Sequence, residues 1–159
     1  MDSEYEGIRV EIPGREPLVL SQLLLDFTGT LSCDGVLTPG LSQRLKALGQ
    51  KLRITVLTAD TFGTAAGQLE GLPLQLHLIE TGYDKAVFLS GLNSSETAAV
   101  GNGRNDVEMV REAALGIAVI GPEACAAELI SAAKIVCHDA VAALDLLLNP
   151  LRIKATLRD

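Results

Sequence analysis

Four polar clusters in this chain stand where parallel strands would end. The first is Asp26-Phe27-Thr28-Gly29-Thr30, directly after the apolar run Leu23-Leu24-Leu25. The second is Thr58-Ala59-Asp60, the third is Lys85 at the start of a helix, and the fourth is Asn102 to Asp106 in a glycine-rich loop. A buried strand that runs into a carboxylate and then into small turn-forming residues sets that carboxylate at the carboxyl edge of a sheet, where open α/β folds place their ligands. An in-line carboxylate there can take a phosphoryl group, while hydroxyls, amides and an ammonium offset the charge spread over its oxygens. Each cluster alone also has a plain structural reading. Asp26 could sit in an ordinary strand-to-loop junction, Thr58 in a strand-end turn, Lys85 on a solvated helix start, and Asp106 at a helix cap. It is their joint occurrence that argues for a site.

Strand and helix alternate around these clusters. Gly7 to Leu20 alternates apolar and polar residues about Pro13-Gly14, which predicts an antiparallel hairpin expected to extend one edge of the sheet. Leu23 to Asp26 is the first parallel strand. Ser32 to Pro39, with Asp34-Gly35 as a turn signal, predicts a loop or small flap, followed by a helix through Leu41, Leu45 and Leu48 that Gly49 stops. Strands follow over Arg53 to Leu57, Leu74 to Ile79 and Glu96 to Val100, and then over Leu115 to Ile120 and Lys134 to Cys137. The helices between them are Phe62 to Glu70, weakened by Gly63 and Gly67, then Lys85 to Leu92 capped by Asp84, Val107 to Ala113, and one opened by Pro122. A last helix, Ala140 to Leu148, is closed by Pro150, and the tail Leu151 to Asp159 reads as a strand, a frayed end or an oligomer contact. The fold class is therefore α/β: a three-layer α/β/α, Rossmann-like doubly wound domain with a mainly parallel sheet and an N-terminal β-hairpin. Residues 1–159 form one domain, divided into the hairpin (1–20), a core (21–150) and a tail (151–159).

Composition agrees and excludes several classes. The chain has 159 residues, 48 % of them apolar and only 3 % aromatic, the aliphatic balance of a sheet covered on both faces by helices. A net charge of -7 and a pI near 4.8, with Lys and Arg scattered, leave no basic field for nucleic acid. No apolar run is long enough to span a bilayer, so a cytoplasmic protein without a membrane partner is expected. Cys33, Cys125 and Cys137 lack metal-site spacing and read as buried thiols, and His77 and His138 read as structural.

In order and spelling, the clusters resemble the four motifs of the haloacid dehalogenase-like phosphohydrolases, and are similar above all to the P-type ATPases and their small soluble relatives. Those motifs read DKTGT, TGD, a Lys and GDGxND; here they are DFTGT, TAD, Lys85 and GNGRND. The resemblance covers Leu23 to Asn149. It implies a phosphatase with Asp26 as the nucleophile of an aspartyl-phosphate route, Thr28 beside it, and a small phosphorylated substrate. Thr58 with Ala59, the backbone at Phe27, and Lys85 would hold the phosphoryl oxygens. Mg²⁺ would be held by Asp26, the carbonyl of Thr28, Asn102 and Asp106, with Asp60 and Asn105 in support.

The chain departs from the pattern twice. Most phosphatases of that superfamily carry an Asp two residues after the nucleophile as acid and base, a position that here is Thr28; losing a general acid and base costs about 100 to 10,000-fold. Asn102 stands where the family has its principal Mg²⁺-binding Asp, so the site has one negative charge fewer and metal affinity should be weaker. The short intervals from Asp26 to Thr58 and from Thr58 to Lys85 leave no room for the cap domains many relatives insert, and by analogy with capless relatives a homo-oligomer is expected. The alternative is a catalytically degenerate module of the same fold that binds phosphate or metal, or scaffolds a partner, without turnover. A dinucleotide-binding reading of the glycine loop fails, because Asp106 stands where the third Gly is needed and the loop follows the fourth strand rather than the first. A receiver domain is a poorer match still, since its acidic pair follows the first strand and nothing in it corresponds to DFTGT.

Overall fold

The computed structural model describes residues 4–159. In chain order, β1 (Ile8–Val10) and β2 (Leu18–Leu20) form the hairpin, β3 (Gln22–Leu25) leads to the first motif, and β4 (Ser32–Cys33) with β5 (Val36–Leu37) makes a flap. Then come α1 (Leu41–Leu48), β6 (Arg53–Thr58), α2 (Ala65–Gln68), β7 (Gln75–Leu78), α3 (Gly82–Ser90) and β8 (Thr97–Gly101). The chain continues through α4 (Val107–Glu112), β9 (Leu115–Val119), α5 (Ala127–Ala132), β10 (Ile135–Cys137), α6 (Ala140–Leu148) and α7 (Pro150–Leu157).

The six-stranded sheet has the order β10-β9-β8-β3-β6-β7, with every neighbouring pair parallel. The chain starts at β3 in the middle, works outward to β7, then returns to β8 on the other side of β3 and works outward again. Helices change face at that reversal. Leu23 and Leu25 of β3 pack with Leu41, Leu45 and Leu48 of α1 and Leu144 and Leu147 of α6, whereas Leu24 packs into a second cluster with Leu89 of α3, Met109 and Val110 of α4 and Leu129 of α5. The period-two alternation of β3 thus feeds two cores, each fully buried Leu contributing about 1.5–3 kcal/mol. α1 and α6 are also joined by Arg44, whose guanidinium donates to both oxygens of Asp145 at 2.7 and 3.1 Å. The switch point lies between β3 and β8, so the loops after Leu25 and Gly101 part there and leave a crevice.

Several expectations need correction. The hairpin forms, with Ile8 opposite Leu20, but as a separate two-stranded sheet rather than an extension of the main one. Its inward residues Ile8, Val10 and Leu20 join the core on the α1 and α6 face instead. The tail is helical: Pro150 occupies the first turn, where a missing N–H costs nothing, and Ile153, with Leu157 one turn on, faces the core. Pro122 does not open a helix, because Gly121 and Ala124 have φ of 60° and 71°, a left-handed path that delays α5 to Ala127. α3 begins at Gly82, capped by the Thr81 hydroxyl, and Asp84 reaches back to the Thr81 N–H in a capping box. The helix expected over Phe62 to Glu70 shrinks to Ala65–Gln68. The three thiols are partly exposed rather than buried. His77 packs against Phe88 in a tilted arrangement with ring centroids 5.0 Å apart, a structural contact.

Candidate active site

The loop after β3 folds back at once. The Phe27 carbonyl accepts the N–H groups of Thr30, Leu31 and Ser32, and Gly29 takes φ +77°. A Cβ on Gly29 would stand 2.4 Å from Asn102 Nδ2, so only glycine lets this loop meet the loop after β8. The turn sets Thr30 beneath Asp26, and its hydroxyl lies 2.9 Å from Asp26 Oδ2 and 3.1 Å from Asn102 Oδ1.

Lys85 is brought in from the opposite side. Gly82 lets the first turn of α3 close on Asn105, whose carbonyl would lie 2.6 Å from an added Cβ. Lys85 is then fully buried, its Nζ donating to Asp26 Oδ1 at 2.7 Å and to Asp106 Oδ1 at 2.6 Å. One ammonium between two carboxylates leaves a net negative charge in a buried place. Burial first, and then the charge of Asp106, push the Asp26 carboxyl up to about 7, against the pull of Lys85 and Thr30. For Lys85, burial works to lower the pKa, but the two carboxylates outweigh it and the net shift is upward, so the ammonium stays charged.

Asp106 was expected among the metal ligands. Its carboxylate is fully buried, with Oδ1 on Lys85 and Oδ2 accepting the N–H groups of Asn102 and Gly103 at 3.1 and 3.0 Å. Both oxygens are therefore engaged in holding Lys85 and the glycine loop. Asp60 likewise serves the scaffold: its Oδ1 accepts from the N–H groups of Thr64 and Ala65 at the start of α2.

A cavity of about 220 Å³ opens over this arrangement, lined by Asp26, Thr28, Thr58, Ala59, Asn102 and Asn105 together with Thr61, Gly103 and Glu123. The Thr58 oxygen accepts the Asp60 N–H at 3.0 Å, which leaves its own proton free to donate. The Thr28 hydroxyl is buried without any hydrogen-bond partner. An orphaned donor buried beside a cavity lined by oxygen groups fits an anionic ligand or a hydrated hard cation. Phe27 puts its ring into the core, so only its backbone can serve the site. Among the described residues no three His, Cys, Asp or Glu side chains form a preformed metal cage. A cation here would rely on carboxylate, amide and carbonyl oxygens and on water, which is ordinary for Mg²⁺.

Glu123 and Thr61 were not anticipated. Glu123 follows the end of β9 on the same edge of the sheet, and that position was the only signal for it; reading Pro122 as a helix start obscured it.

This switch-point crevice and strand order define an α/β fold of the haloacid dehalogenase-like kind. Comparison with known proteins agrees: residues 76–141 match the model of the haloacid dehalogenase-like hydrolase family. Over 61 residues, 38 % of this chain, it is 51 % identical to an uncharacterised protein of Methanocaldococcus jannaschii; the match spans 66 % of that relative, just under two thirds of its length. The fold is similar to that of 3-deoxy-D-manno-octulosonate 8-phosphate phosphatase from Moraxella catarrhalis, solved in complex with a magnesium ion, a phosphate ion and a KDO molecule, at a TM-score of 0.69 and 18 % identity over 82 % of this chain and 86 % of that one. The cobalt-bound octulosonate phosphatase of Haemophilus influenzae superposes with a TM-score of 0.61 and 15 % identity, covering 87 % and 92 % of the two chains. Among the described residues no helix is long and apolar enough to cross a membrane.

Proposed function

We propose that this protein is a Mg²⁺-dependent phosphohydrolase acting on a small phosphorylated substrate through an aspartyl-phosphate on Asp26. The observation that carries the reading is the buried Asp26–Lys85–Asp106 array beneath a cavity that Thr58 and Thr28 also line. Asp26 attacks phosphorus in line as the leaving oxygen departs, and water then attacks the acyl phosphate to release inorganic phosphate and restore the carboxylate. Thr58 and the backbone at Phe27 and Ala59 donate to the equatorial oxygens, and Lys85 offsets their charge while holding Asp26 in place. Mg²⁺ would be held by Asp26, the Thr28 carbonyl and the Asn102 amide oxygen, and would supply charge stabilisation of the transferred group. Asp106 supports that set through Lys85 and the glycine loop. With Thr28 in place of an acid, the leaving group departs without a proton from that position, which favours good leaving groups.

The test is hydrolysis of p-nitrophenyl phosphate with and without Mg²⁺, on the native chain and on Asp26→Asn. Metal-dependent turnover that Asp26→Asn reduces by at least about 1000-fold is expected. Turnover surviving in Asp26→Asn would reject the nucleophile. Its absence from the native chain at high Mg²⁺ would favour a phosphate- or metal-binding module, the reading that Thr28 and Asn102 support.

A further inference from the structure

We infer that Glu123 supplies the anionic metal ligand that Asn102 cannot, and that Asn102 has become the latch that holds Glu123 over the cavity. The inference rests on the metal-dependent reading above. Asn102 Nδ2 lies 3.0 Å from the Ala124 carbonyl, and because a carbonyl only accepts, the nitrogen must face it and the amide oxygen must face Thr30. The Asn102 carbonyl in turn accepts the Ala126 N–H at 2.8 Å. The segment after β9 is thus tied to Asn102 twice, at Ala126 and at Ala124, whose φ of 71° is strained for a residue bearing a Cβ. A carboxylate at position 102 could not donate to Ala124 and would face its carbonyl with like charge.

The latched segment delivers Glu123 to the cavity wall that Asp26, Thr28 and Asn102 share. The flap holds it from the other side: the Asp34 N–H donates to Glu123 Oε2 at 3.3 Å, leaving Oε1 without such a restraint. Since both Asp106 oxygens are occupied, Asp26 and Glu123 are the carboxylates that line this cavity. The buried, unpartnered hydroxyl of Thr28, which lines the same cavity, independently marks the place as built for a ligand. The charge missing at position 102 is therefore returned from the β9–α5 connection, and the neutral amide at 102 is what permits it.

Mg²⁺ and Mn²⁺ are to be titrated calorimetrically into the native chain, Glu123→Gln, Glu123→Asp and the double variant Glu123→Gln/Asn102→Asp, with melting curves in EDTA and p-nitrophenyl phosphate turnover read alongside. Expected is a loss of at least about tenfold in affinity for Glu123→Gln, with an unchanged EDTA melt, a smaller loss for Glu123→Asp, and recovery in the double variant. Native-like affinity in Glu123→Gln would overturn the role of Glu123 while leaving metal dependence standing. No binding by the native chain at millimolar metal would overturn both. Weakened binding in Glu123→Gln without turnover in any form would uphold the Glu123 assignment and sink the hydrolase reading.

Discussion

Lys85 Nζ lies 2.6 Å from Asp106 Oδ1 in a place closed to solvent, and the same ammonium reaches Asp26 at 2.7 Å. The two carboxylates come from opposite sides of the switch point, so a single cation ties the β3 and β8 loops to the first turn of α3. Removing it leaves two buried carboxyl groups with no cation between them, which cannot both stay ionised. Lys85→Met, which keeps most of the volume, should destabilise the fold by about 3–5 kcal/mol in denaturant titrations, and adding Asp106→Asn should recover part of that loss. A loss under about 1 kcal/mol would mean that the array contributes little to folding.

The charge balance also sets a pH dependence. Asp26 titrates at about 7 in the folded chain against 3.8 ordinarily, so between those values the folded state holds a proton that the unfolded state has released. Metal-free stability should therefore fall as pH rises through that window. A cation needs the carboxylate, so its binding displaces the proton, and Mg²⁺ affinity should climb over the same range. Denaturant midpoints in EDTA and calorimetric Mg²⁺ titrations between about pH 5 and about pH 8 check both signs. Stability rising with pH in EDTA would contradict the upward shift.

Thr28→Asp should place a carboxyl where the orphaned hydroxyl now lies. Turnover of alkyl phosphates, whose leaving oxygen needs a proton, should rise by about 100-fold or more, with a much smaller gain on p-nitrophenyl phosphate. Equal gains on both substrates would point to a change in binding rather than acid catalysis.

Gly116 lies in β9 where α4 crosses it, and a Cβ there would stand 1.9 Å from the Val110 carbonyl oxygen. Gly116→Ala should force β9 and α4 apart and cost about 1–3 kcal/mol or more in thermal or chemical denaturation. A neutral result would show that α4 moves freely against the sheet.

Asp26, Thr58, Lys85 and the glycine loop could be read at their strand and helix ends because apolar runs and turn residues are local signals. The apolar run that predicted β3 and the spacing that predicted α1 are likewise local, and both elements formed as expected. What the sequence by itself determined was thus the layering of the domain and the inventory of chemistry along one edge of its sheet. Partnership is another matter. That Asp106 spends both oxygens on Lys85 and the loop, that Thr30 sits under Asp26, and that the Asn102 amide latches Ala124 depend on distances between segments far apart in the chain. The same holds for the hairpin that stands apart from the sheet and for α7, whose buried Ile153 is explained by the core it covers and not by its own weak pattern. Only the tertiary structure decided these, because hydrogen bonds and burial are settled by which groups meet in space, and one left-handed residue such as Ala124 is enough to redirect the segment that carries Glu123.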